Sequence, residues 1–100
     1  MPKTILACID FSGLERAVLD AGGALARAFG GELHLLHVAE PDPAFVGYRA
    51  VLHEAERLGA QTIVIGAHTH GRLHALFVGS VAAQVLRGAK VPVLVVPPHP

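Results

Sequence analysis

Four short apolar runs, separated by stretches of helical spacing, restrict this chain more than any other feature in it. They are residues 3–9 (KTILACI), 32–38 (ELHLLHV), 62–66 (TIVIG) and 91–96 (VPVLVV). Short runs of Ile, Val and Leu without strict polar alternation suit strands covered on both faces, as in parallel sheets. Between the first two runs, Leu14, Val18, Ala21, Leu25 and Ala28 repeat at the spacing of one helix face. Ser12 and Glu15 form a capping box ahead of that helix, and Gly30-Gly31 stops it. Asp42 and Pro43 open a second helix, with Tyr48, Val51, Leu52, Ala55 and Leu58 inward and Gly59 as terminator. Ser80 opens a third, running through Val81, Val85 and Leu86 to Gly88.

The order βαβαβαβ predicts a three-layer α/β domain. Its parallel sheet has about four strands in the order 2-1-3-4, with helices on both faces. In that order the first and third strands border the topological switch point, where open α/β sheets bind ligands. Asp10 closes the first strand and Gly66 the third, so both stand where a ligand is expected. With 100 residues and no linker or repeat, residues 1–100 form a single domain.

The charge balance excludes one class of partner. Lys plus Arg and Asp plus Glu number eight each. A nucleic-acid-binding surface needs a basic excess, so no nucleic acid is expected. No apolar run approaches the ~20 residues of a membrane helix, so no membrane is expected. The start, MPKTILACID, lacks the apolar core of a signal peptide. Cys8 is the single cysteine, which excludes a disulfide framework and fits a reducing cytoplasm. Its expected role is that of a small buried hydrophobe.

The stretch after the third run, GAHTHGRLHALFVGS, joins glycines, histidines and an arginine. Glycines let a phosphate approach the backbone, and a helix N-terminus supplies free amides with a partial positive charge. Gly66 and Gly79-Ser80 fit that physics. They also fit a plain strand-to-helix turn that needs glycine and an N-cap serine. His68, His70 and His74 make an H-x-H-x3-H pattern, but no cysteine or nearby carboxylate completes a zinc signature, and no metal site is expected. His34 and His37 fall on opposite faces of a strand and make a poor ligand pair. No catalytic residues are expected, because Ser80 has no evident His and Asp partners.

KTILACIDFS, LHLLHVAEP, AERLGAQTIVIGAH, GSVAAQVLR and VPVLVVP resemble successive segments of the universal stress protein family. The resemblance covers nearly the whole chain and implies an adenine nucleotide alpha hydrolase-like fold. Nucleotide-binding members carry the motif Gly-x2-Gly-x9-Gly-Ser/Thr. Gly66 matches its first glycine and Gly79-Ser80 its end, while Thr69 stands in place of the second glycine. The resemblance implies a ribose contact for Asp10 and an adenine contact for the backbone of Val38. It implies phosphate contacts at Gly66, His68 and Thr69, and at the amides of Gly79, Ser80 and Val81. The implied ligand is ATP, with Mg2+ as its companion, and at most slow hydrolysis.

An alternative reading takes Thr69 as the mark of a lost site, leaving a nucleotide-free dimeric interaction module. The family usually has one further strand and helix after the second run, and here an α-β unit is missing around Tyr48 and Arg49. Dimerisation through the last strand, common in the family, implies a homodimer through Val93, Leu94, Val95 and Val96. On the topology argued above, the first helix covers strands one and two and leaves that face of strands three and four bare.

Overall fold

A computed structural model of the protein describes residues 3–9, 15–37, 44–66 and 80–97; for 44–47, 80 and 81 it gives the backbone course only. Strands and helices alternate: β1 (Thr4–Ile9), α1 (Glu15–Phe29), β2 (Glu32–His37), α2 (Ala44–Leu58), β3 (Thr62–Gly66), α3 (Ser80–Gly88) and β4 (Val93–Val96). The four strands form one parallel sheet in the order β2-β1-β3-β4. The expected topology is therefore the observed one. The fourth strand is shorter than its apolar run. Pro92 has no N–H to give a ladder, and its carbonyl accepts from Ile63 just ahead of β4.

The strand side chains sort into two cores. On one face Leu6, Cys8, Ile63 and Ile65 meet Val51 and Ala55 of α2 and Ala82 and Val85 of α3. On the other, Ile5, Ala7 and Val64 meet Val18 and Ala26 of α1. Among the described residues α1 thus lies alone on its face, while α2 and α3 share the opposite one. Cys8 is buried among hydrophobes, as expected.

Three expectations need correction. Burial on both faces holds for the inner strands β1 and β3, but β2 and β4 are edges and only partly covered. Ala28 is exposed, and Gly22 takes a place in the buried stripe of α1. A Cβ on Gly22 would stand 2.9 Å from Leu33 Cδ1, so its absence lets helix and strand close together. Finally, α1 does not leave β3 bare. It sits over the middle of the sheet and buries Val64 completely. The apolar side chains left open on that face belong to the two outer strands: Leu35 on β2 is 54% exposed and Leu94 on β4 is 40% exposed.

Helices α1 and α2 end in the same way. Gly30 (φ 67°) and Gly59 (φ 64°) take the left-handed conformation. Gly31 N–H donates to the Ala26 carbonyl at 2.8 Å and Ala60 N–H to the Ala55 carbonyl at 2.9 Å. Both are six-to-one closures that satisfy otherwise orphaned carbonyls. They turn the chain straight into β2 and β3, which fixes the level at which those strands begin and hence where they end.

Candidate functional site at the carboxyl ends of the strands

Register places the strand ends in one row. Ile9 of β1 pairs with His37 of β2, and Gly66 of β3 pairs with Val96 of β4. Cys8 pairs with Ile65, so Ile9 and Gly66, one residue on, stand side by side. The strand order reverses between β1 and β3, because β1 continues to β2 on one side and β3 to β4 on the other. The crest of the sheet at Ile9 and Gly66 is therefore the switch point where such folds open a ligand crevice.

Gly66 ends β3 and is half-buried. It carries no side chain to fill the space above the crest. Ser80 begins α3, a helix of nine residues. The first turn of α3 holds no carboxylate, so no local acid opposes the positive end of its dipole. A phosphate-sized anion beside that turn meets a favourable field and free amides.

The structure brings together Gly66 and the end of β1 that leads into Asp10. It places Ser80 and Val81 at the start of α3. Asp10, Val38, His68, Thr69 and Gly79 lie outside the described residues, as do His70, His74 and the capping residue Ser12. His34 and His37 lie on opposite faces of β2, in register with Leu6 of the α2–α3 core and with Ile9 of the α1 core. His37, next before Val38, stands in the crest row. Its position at the strand end, opposite Ile9, is the signal that marks it.

Among the described residues, the two groups held away from their ordinary pKa lie on α2, away from this crest. Glu54 of α2 is held below the usual carboxylate range, first by a hydrogen bond from Arg57 and then by that guanidinium's charge. Arg57 Nε donates to Glu54 Oε1 at 3.1 Å, and Arg57 is pushed up in turn. This is an exposed pair one helical turn apart, worth little to stability.

The fold and the crest define an open parallel α/β domain whose strand order reverses between β1 and β3. The universal stress protein family model matches residues 1–48 and again 46–97, and the chain belongs to that family. The two matched segments meet within α2, beside the Tyr48–Arg49 position of the missing unit. No curated protein matches the sequence. Among solved structures the chain is similar to hypothetical protein MJ0577, the subject of a structure-based assignment of biochemical function. Identity is 18%, the match covers 99% of this chain and 77% of that one, and the TM-score is 0.52. It is also similar to hypothetical protein PH0823, at 22% identity, 96% and 77% coverage and a TM-score of 0.47. The likeness to MJ0577 shows a shared fold. Nearly a quarter of that chain has no counterpart here. Among the described residues no helix is long and apolar enough to cross a membrane.

Proposed function

We propose that this universal stress protein binds an adenine nucleotide, ATP with Mg2+, across the crest of β1 and β3 as a ligand rather than as fuel for fast chemistry. The observation that carries the reading is the adjacency of Ile9 and Gly66 at the switch point, combined with the motif ends Gly66 and Gly79-Ser80. Asp10 follows Ile9 directly and would take the ribose hydroxyls; Val38 would meet the adenine through its backbone. The phosphates would lie over Gly66, His68 and Thr69, against the amides of Gly79, Ser80 and Val81. The cation would balance phosphate charge, and no residue of this chain is assigned to hold it. The protein works in the cytoplasm and pairs with a second copy through Val93, Leu94, Val95 and Val96, where Leu94 is exposed on an open edge.

Thr69 supports a second reading. A β-branched residue resists positive φ and puts a methyl where a glycine left room. If that position must be glycine, the domain is a nucleotide-free interaction module. Equilibrium binding of a fluorescent ATP analogue separates the two. Saturable binding competed by unlabelled ATP supports the first; none up to millimolar analogue, with the protein folded, supports the second.

A further inference from the structure

We infer that the edge of β2, unpaired among the described residues, is an interface with a second copy of this chain, the two β2 strands pairing antiparallel about a two-fold axis at His34.

The inference starts from what β2 lacks. An edge strand invites pairing unless it is short, charged, broken by proline or covered. β4 has partial guards: it is four residues long, and Pro92 and Pro97 confine any pairing to the stretch between them. β2 is six residues long, ELHLLH, with no proline or lysine. Its one formal charge, Glu32, is engaged by the ring of His34 at 3.1 Å. Leu35 on this edge is more exposed than Leu94 on the other. Among the described residues the expected cover is also missing. Consecutive strands are usually neighbours, and both edges of β1 are already taken, by β2 and β3. A strand inserted between β2 and β3 in sequence therefore belongs beside β2. The family match breaks at that place.

The backbone is compatible with that partner. Glu32 N–H donates to Lys3 O at 2.7 Å, so Glu32 faces β1. In a parallel ladder residues alternate, so Leu33 and Leu35 turn their amides and carbonyls to the free edge. Set antiparallel to itself about His34, the strand puts Leu33 opposite Leu35 of the second copy, and the reverse. Those two pairs exchange four backbone hydrogen bonds. Their side chains stand on the α1 face, where leucine meets leucine and the exposed Leu35 is covered. On the other face the two His34 rings meet at the axis, each beside its own Glu32. One strand thus supplies both halves of a self-complementary contact, as an isologous interface requires. The zero formal net charge adds no repulsion against it.

This contact is distinct from the proposed one at β4, and four substitutions separate them. Antiparallel residues at a non-hydrogen-bonded position lie close enough for a disulfide. His34→Cys should therefore cross-link into covalent dimers under copper-phenanthroline, whereas wild type, whose Cys8 is buried, should not. Leu35→Pro removes an outward N–H that β1 does not use, and Leu35→Lys adds a charge at an exposed position. Each should lower the mass in light scattering about twofold or more while circular dichroism is unchanged. Leu94→Glu should leave the His34→Cys cross-link intact. The inference is overturned if His34→Cys fails to cross-link, or if the folded Leu35 variants keep the wild-type mass. A mass lowered by Leu94→Glu alone would reject β2 and keep the β4 contact. A mass lowered by the Leu35 variants alone would do the reverse.

Discussion

Gly30 and Gly31 show how much one residue decides. In sequence they look like a single helix stop. In the structure they do different things. Gly30 needs a positive φ, and a Cβ there would meet nothing within 4 Å. Gly31 has no positive φ, yet a Cβ on it would lie 1.9 Å from the Lys3 carbonyl oxygen. That oxygen accepts the bond that opens the β1–β2 ladder. Gly30→Ala should cost about 1–2 kcal/mol through backbone strain. Gly31→Ala should cost about 3 kcal/mol or more through overlap with an immovable backbone. Urea denaturation of both variants checks the order; equal losses would show that Gly31 is a spacer only. Sequence could mark the stop, but the close approach depends on where Lys3 lands, which local pattern does not contain. Thr69 poses the opposite case, legible as a departure from the motif. Thr69→Gly should tighten ATP binding by about 1–2 kcal/mol, roughly tenfold, by restoring backbone freedom and removing the methyl. Unchanged or weaker affinity in calorimetry would mean that this position does not limit the site.

The elements were legible because periodicity and punctuation agree. β3 occupies the whole of TIVIG, and both αL glycines sit where the helix pattern stops. What the runs did not show is which strands are central. ELHLLHV and KTILACI look equally apolar, but centrality depends on crossover order rather than composition. The consequence is measurable. Leu6 on β1 is fully buried between β2, β3 and the α2–α3 layer. Leu6→Ala should cost about 2–5 kcal/mol. Leu35→Ala, at an edge, should change the stability of the isolated chain by about 0.5 kcal/mol or less. Comparable losses in chemical denaturation at low protein concentration would contradict the assignment of β1 as the inner and β2 as the outer strand.

At the scale of the whole molecule, a four-strand sheet carries, among the described residues, one helix on one face and two on the other. It leaves Leu35 and Leu94 open at opposite edges. A chain of this size has a modest core, and covering such side chains through association adds to it. At β4 a charge at Leu94 should separate copies or cause aggregation; size-exclusion chromatography with light scattering reads the change. A wild type that is monomeric at micromolar concentration would contradict the interface at that edge. The site is divided differently between sequence and structure. Strand order and register carry the place proposed for it, at Ile9 and Gly66, while the side chains expected to grip the ligand come from the segments that follow those strands. The most direct test is a crystal structure with a non-hydrolysable ATP analogue. Ribose should lie beside Asp10, which follows β1, and the phosphates over Gly66 against the first turn of α3. Analogue bound anywhere other than this crest would contradict that placement.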